Sequence, residues 1–157
     1  VDYDLTQKVL ASLEAAGVRY AIFGGVALNL IGLARATRDL DVFIEPTADN
    51  VDRLRSALAS VFDDPSLVDL TADDLLGDYP AVQYVPPSGD FHVDILTRLG
   101  ETFRFEDLET MRVDFGGLEV TVVTPRMLYR MKRDTVRLQD RADAERVAER
   151  FGFSEED

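Results

Sequence analysis

The sequence has no cysteine, one histidine, and only two lysines among its seventeen basic residues. Without thiols there is no disulfide, no cysteine nucleophile and no thiolate-ligated zinc, though the redox compartment stays open. No apolar run approaches the ~20 residues of a membrane span. The opening VDYDLTQK has no basic region leading into an apolar core, so a cytoplasmic protein with no membrane association is expected. Positive charge is also scarce: 17 Lys and Arg against 30 Asp and Glu leave a net charge of −13. A general electrostatic grip on nucleic acid needs many basic contacts to phosphate. Any such contact must come from a locally basic site. Repeats and low-complexity tracts are absent too.

What is present describes a folded chain. It has 157 residues, 46% hydrophobic and 30% charged, the composition of a globular protein. A domain near this size buries roughly 68–70% of its unfolded surface. One domain over 1–157 is expected, with a core at 18–124 and C-terminal helices at 125–152.

The stretch FGGVALNLIGLARATRDLDVFIE, Phe23 to Glu45, organises the rest. Leu40, Val42 and Ile44 alternate with Asp39, Asp41 and Phe43, the period of a strand with unlike faces. Residues two apart stand on one side, roughly 6.6 Å apart, so both carboxylates can lean onto shared hard cations. Upstream, Tyr20 to Phe23 runs into Gly24-Gly25 and then a helical pattern, VALNLIGL. Glycines there permit close backbone approach, and a helix N-terminus offers free N–H groups to phosphate. The combination suits a metal-bound triphosphate; the plainer alternative is a tight turn beside two solvated aspartates.

Strand, Gly-Gly, helix, then Asp-x-Asp on a second strand resembles the signature of the DNA polymerase beta-like nucleotidyltransferase superfamily. With Arg35, Thr37 and Arg38 before the aspartates, the string is most similar to the branch of AbiEii-type and MenT-type toxins. The resemblance implies an α+β (α/β) fold, a small mixed β-sheet with packed helices and a C-terminal helical pair, covering nearly the whole chain. It implies NMP transfer from an NTP to an acceptor hydroxyl, with Mg²⁺ (two ions, Mn²⁺ as a substitute) held by Asp39, Asp41 and a third carboxylate. It also implies an acceptor such as tRNA and a cognate antitoxin.

Asp4 to Ala16 reads as a scaffold helix and Val18 to Phe23 as the first strand. Pro46-Thr47 opens a helix to about Phe62. The acidic segment Asp63 to Pro80 reads as a solvated loop with a short helix. Ala81–Val85 and Phe91–Leu96 form a hairpin around a proline- and glycine-containing turn. Asp94 stands out of its otherwise mostly apolar second strand and matches the family's third carboxylate, a metal ligand and general base. The alternative is an edge-strand aspartate facing water. His92 is expected to be a bystander near Asp94.

Thr110–Phe115 and Leu118–Val123 flank Gly116-Gly117 as a second hairpin, and Thr124-Pro125 caps a helix. Arg126, Arg130, Lys132, Arg133, Arg137 and Arg141 then cluster. They make either a solvated face or a phosphate or RNA surface. Lys132 followed by Asp140 and Asp143 resembles the branch's second motif, although Lys132-Arg133 departs from its usual Lys-Leu. In the final helix Ala144, Val147, Ala148 and Phe151 form an inward stripe, with Asp140 and Asp143 on its continuation. A carboxylate on a buried stripe needs a partner, which Lys132, a nearby arginine or a metal-bound substrate could supply; the alternative is an aspartate favoured by the dipole at the helix N-terminus. The expected catalytic set is Asp39, Asp41, Asp94 and Lys132, with Gly24, Gly25, Arg35, Arg38, Lys132 and Asp140 around the nucleotide. A small-molecule, antibiotic-type transferase and a non-catalytic nucleotide-binding module are the competing readings.

Overall fold

The computed structural model describes residues 3–37, 39–76, 81–87, 89, 91–99, 102–133, 135 and 137–157, residue 74 through its backbone alone. Helix α1 (Tyr3–Ala15) buries Val9, Leu10 and Leu13 along one stripe. Beyond it the Val18 N–H returns to the Leu13 carbonyl at 3.0 Å. That closing bond uses residue 18, so strand β1 spans only Tyr20–Ile22, shorter than the expected Val18–Phe23. Helix α2 (Gly25–Leu30) follows, and a loop leads into β2 (Asp39–Ile44), which pairs antiparallel with β1, Ile22 opposite Val42.

The Thr47 hydroxyl accepts the Asn50 N–H at 3.2 Å and starts α3 (Ala48–Val61), close to the expected limits. A 3₁₀ turn (Pro65–Asp69) and α4 (Ala72–Leu76) lie in the acidic segment; Asp78 lies outside the described residues. Asp64 is not merely solvated: it accepts from the Ser66 N–H at 3.0 Å and the Tyr84 hydroxyl at 2.9 Å. Strands β3 (Ala81–Tyr84) and β4 (His92–Leu96) form the expected hairpin. Strands β5 (Arg98–Leu99) and β6 (Phe103–Arg104) make a small separate ribbon. Pairs of residues are too short to show a period, and the ribbon left no trace in the pattern. In the second hairpin, β7 (Thr110–Phe115) and β8 (Leu118–Val123), Gly116 and Gly117 take φ of +60° and +92°. A two-residue turn with both centres at positive φ matches the twist of its strands.

The main sheet has the order β3-β4-β2-β1-β8-β7, with β4–β2 and β1–β8 parallel and the other pairs antiparallel. Asp94 is therefore on an interior strand, next to the Asp-x-Asp strand. Leu40, Val42, Phe43 and Ile44 are fully buried, so β2 is covered on both faces beyond its first turn of side chains. Helix α1 packs on α3, and α5 (Pro125–Arg133), capped by the Thr124 hydroxyl at 3.2 Å, packs on α6 (Leu138–Phe151). No helix among the described residues is long and apolar enough to cross a membrane.

The inward stripe of α6 ends sooner than its period suggests. Ala144 and Val147 are buried, but Phe151 is 39% exposed. Gly152, at φ +77°, turns the chain back so that Phe153 stacks on Tyr129 in its place, with ring centres 5.8 Å apart. The same turn lets the Glu155 and Asp157 carbonyls accept from Arg133 and Arg130.

Asn50 is the principal polar tie in the scaffold. It is 2% exposed, accepts the Arg19 N–H at 2.8 Å, and donates to the Arg19 and Glu45 carbonyls at 3.0 Å. It thus fixes α3 to the entry of β1 and the exit of β2. Asn50→Ala leaves three backbone groups without their partner and is expected to cost about 2–4 kcal/mol in urea unfolding. A loss below about 0.5 kcal/mol would show that water replaces the amide.

Candidate active site

Two parallel strands bring the carboxylates together. In the β2–β4 register Asp41 lies opposite Asp94 and Asp39 opposite His92. Asp39 and Asp41 share a face by strand alternation. Asp41 is largely enclosed, and its carboxyl is pushed up to about 7. Burial is the main cause; next come the charge of Asp94 and a hydrogen bond with it, then the charge of Asp39, while Lys132 acts in the opposite direction. Two carboxylates that close share a proton or a cation.

Backbone closeness completes this corner. The Phe23 N–H donates to the Asp41 carbonyl at 3.1 Å, which brings Gly24 against the Asp41 side chain. A Cβ on Gly24 would lie 1.8 Å from Asp41 Oδ2, and one on Gly25 would lie 2.7 Å from Thr37 Cβ. Neither position admits a side chain without displacing a residue of the motif. Asn29 shapes the connecting loop, accepting the Arg35 N–H at 2.8 Å and donating to the Arg35 carbonyl at 3.1 Å.

The opposite wall is cationic and tightly paired. Lys132 Nζ donates to Asp140 Oδ1 at 3.0 Å and Asp143 Oδ2 at 3.4 Å, and Arg35 Nε donates to the same Asp143 oxygen at 3.4 Å. Asp143 is fully buried; Gln139 donates to its other oxygen at 3.0 Å. The carboxylate on the buried stripe therefore has its partner. Breaking a buried pair from one side leaves the other charge uncompensated, so this network locks α6, α5 and the Arg35 loop in one arrangement.

Gly24, Gly25, Arg35, Asp39, Asp41, Asp94, Lys132 and Asp140 all line a single cavity of about 450 Å³. Arg38 lies outside the described residues. The cavity also includes Gln83, Thr135 and Arg137, which the sequence reading did not assign to the nucleotide site. Gln83 could have been found from the hairpin, since it pairs directly across from Asp94. His92 stands near Asp94, two residues along β4 and sharing Gln83 with it, but its Nδ1 is 3.2 Å from Asp39 Oδ1, so Asp39 is the carboxylate it contacts. Only the register of β2 on β4 reveals this.

The basic run divides. Arg126 pairs with Glu109 at 3.3 Å, Arg130 and Arg133 bind C-terminal carbonyls, and Arg133 also stacks over Tyr129 at 5.1 Å. Lys132 turns into the cavity, and Arg137 reaches its rim, 3.7 Å from Asp140. No continuous cationic stripe results from these contacts.

Among the described residues no three His, Asp or Glu side chains enclose an ion unaided. The donor set nevertheless fits a divalent cation completed by phosphate oxygens: hard carboxylates, one crowded enough to hold a proton, facing a cavity. The Asp41 shift has a thermodynamic consequence. A carboxyl raised from 3.8 in the unfolded chain to about 7 in the folded one adds stability below pH 4 that is lost as pH rises through 7. Asp41→Asn cannot ionise. In EDTA it should exceed wild type by on the order of 1–3 kcal/mol at pH 8, with a smaller gain at pH 5.5, by urea unfolding. A less stable variant at pH 8 would contradict the crowding.

Solved structures share this architecture at low identity. The antibiotic-resistance factor ANT(2")-Ia, in complex with adenylyl-2"-tobramycin, superposes with a TM-score of 0.59 at 13% identity, covering 98% of this chain and 91% of that one. A Thermotoga maritima protein assigned as a nucleotidyltransferase gives 0.58 at 13%, covering 95% and 91%. An antigenic nucleotidyltransferase-like protein from Paracoccidioides brasiliensis gives 0.51 at 19%, covering 89% and 74%. No curated protein sequence matches significantly. These likenesses establish the polymerase beta-like fold. The family model for the nucleotidyl transferase AbiEii toxin of type IV toxin–antitoxin systems matches residues 8–146. The chain belongs to the AbiEii nucleotidyltransferase family and is an NTP-dependent nucleotidyltransferase.

Proposed function

We propose that the chain transfers a nucleoside monophosphate from an NTP to an acceptor hydroxyl, with Asp39, Asp41 and Asp94 holding Mg²⁺, or Mn²⁺ in its place. The observation that carries this is the Asp41–Asp94 pair, set across two parallel strands at the end where Gly24, Gly25 and Lys132 meet. Bound there, the ions polarise the phosphate oxygens and offset charge on the attacking and leaving oxygens. Asp94 takes the proton of the acceptor hydroxyl, whose oxygen forms a bond to the α-phosphorus. The bond from that phosphorus to the bridging oxygen breaks, and its electron pair leaves with pyrophosphate. Backbone N–H groups at Gly24 and Gly25 face the outer phosphates, and Lys132, with Arg35 and Arg38, compensates the charge that develops there. Asp140 holds Lys132 for this task. The site is assigned to a single cytoplasmic domain.

The family's place in type IV toxin–antitoxin systems supports a cognate antitoxin that restrains the enzyme, and the resemblance of the Arg35-to-Asp41 stretch to the toxin branch carries the tRNA 3′ end as one acceptor. A small-molecule acceptor is supported by a different observation. The cavity that Asp94 lines also takes in Ala81, Val82, Gln83, Leu96 and Leu99 from the β3–β4 side of the sheet and beyond it, none of them cationic. ANT(2")-Ia, whose structure holds adenylyl-2"-tobramycin, matches nearly all of both chains.

Transfer of label from each α-³²P NTP with Mg²⁺ into total tRNA, protein or aminoglycoside separates the two. Wild type should label one acceptor class, and Asp41→Ala should fall to background with its circular dichroism retained. Lys132→Ala is expected to lose about 10²–10³-fold in rate. Labelling of tRNA should decline between 50 and 200 mM salt with the modest slope of a few phosphate contacts, whereas a small-molecule acceptor should show little such decline. Equal labelling by wild type and Asp41→Ala would sink the assignment.

A further inference from the structure

We infer that His92 and Gln83 are positioning residues that brace the two outer carboxylates of the site, His92 setting Asp39 and Gln83 setting Asp94, and so tune cation affinity. The inference rests on the reading that the three aspartates hold a cation.

Both contacts follow from strand register. His92 lies directly opposite Asp39 across the β2–β4 pair, and Gln83 directly opposite Asp94 across the β3–β4 pair. Their side chains reach the carboxylates: His92 Nδ1 is 3.2 Å from Asp39 Oδ1, and Gln83 Nε2 donates to Asp94 Oδ1 at 3.1 Å. The two braces also meet, with Gln83 Nε2 at 3.5 Å from His92 Nδ1. A ring nitrogen does one thing at a time: protonated it donates to Asp39, unprotonated it accepts from Gln83. The shorter distance and the charge of the carboxylate favour donation to Asp39. Gln83 then spends its stronger hydrogen bond on Asp94.

The arrangement engages Oδ1 of each outer carboxylate, so that Oδ2 is the oxygen able to turn to a cation without breaking the brace. Asp41, between them, is held instead by Gly24 and Asp94. All three carboxylates are thus fixed before a cation arrives. Without the brace Asp39, whose side chain is 37% exposed, is free to rotate into solvent. Groups that orient ligating carboxylates in this way typically contribute 10–100-fold in metal affinity.

The test is binding of Mn²⁺ alone, read from loss of the free-ion EPR signal, so that catalysis is not involved. Wild-type binding that disappears in Asp41→Asn first establishes the site. His92→Ala should then weaken Mn²⁺ binding about 10–100-fold and Gln83→Leu about 10-fold. His92→Asn, whose amide nitrogen occupies the place of Nδ1, should return affinity to within about threefold of wild type. Melting in EDTA checks folding; both positions are solvent-accessible, and shifts of less than about 3 °C are expected. Wild-type affinity in either His92→Ala or Gln83→Leu, or an Asn variant no better than Ala, would overturn the brace and leave the proposed reaction standing. Absence of Mn²⁺ binding in the wild type would remove both.

Discussion

The structure depends on one unfavourable proximity, the enclosure of Asp41 beside Asp94. Burial and a neighbouring carboxylate both work against ionisation, and together they push the Asp41 carboxyl up to about 7. A fold keeps such a group only when the surrounding backbone leaves it no alternative. Here the constraint comes from three sides. The parallel β2–β4 ladder sets the aspartates in register, Gly24 closes against Asp41, and the Phe23 N–H binds the Asp41 carbonyl. The glycine pair thus has a steric role beside any role toward phosphate.

A second constraint fixes the cations. Lys132 and Arg35 converge on the buried Asp143 from separate elements, and Asp140 takes a further hydrogen bond from Lys132. Long side chains lose rotamer freedom when they bind a substrate. In this chain that loss is taken during folding, because the ammonium is held at the cavity wall by two carboxylates. The C-terminal turn at Gly152 continues the same theme from behind: Phe153 stacks on Tyr129 of α5, the helix that presents Lys132.

The sequence carried those features whose signal is local. Alternation around Leu40, Val42 and Ile44 marked β2, the lone carboxylate in a mostly apolar strand marked Asp94, and the aspartates on the α6 stripe called for a partner, which proved to be Lys132 together with Arg35. Features that depend on pairing between distant strands were not legible. His92 shares a strand with Asp94, yet it serves Asp39, because only the β2–β4 register decides which residue lies opposite. Phe151 fits a helical stripe, but one glycine later the chain reverses and Phe153 takes its place. The β5–β6 ribbon is too short for any period to show.

The balance of charge around the cavity connects these parts to the acidity of the whole. Five carboxylates (Asp39, Asp41, Asp94, Asp140 and Asp143) meet three described cations, Arg35, Lys132 and Arg137. Asp140 and Asp143 already neutralise much of Lys132 and Arg35. A bare triphosphate would therefore face a field that repels it, within a chain of net charge −13. A triphosphate that arrives with its cation would meet less repulsion, because the proposed metal-holding aspartates would face positive charge first. If the aspartates hold the cation as proposed, nucleotide and cation would each raise affinity for the other. Nucleic acid has no such escort, and three of the arginines that might have held it, Arg126, Arg130 and Arg133, are engaged with Glu109, Asp157 and Glu155. Of the basic run, Arg137 at the cavity rim and the exposed Arg141 are left to a polyanionic acceptor, which would then be gripped by few contacts and not by a broad basic face.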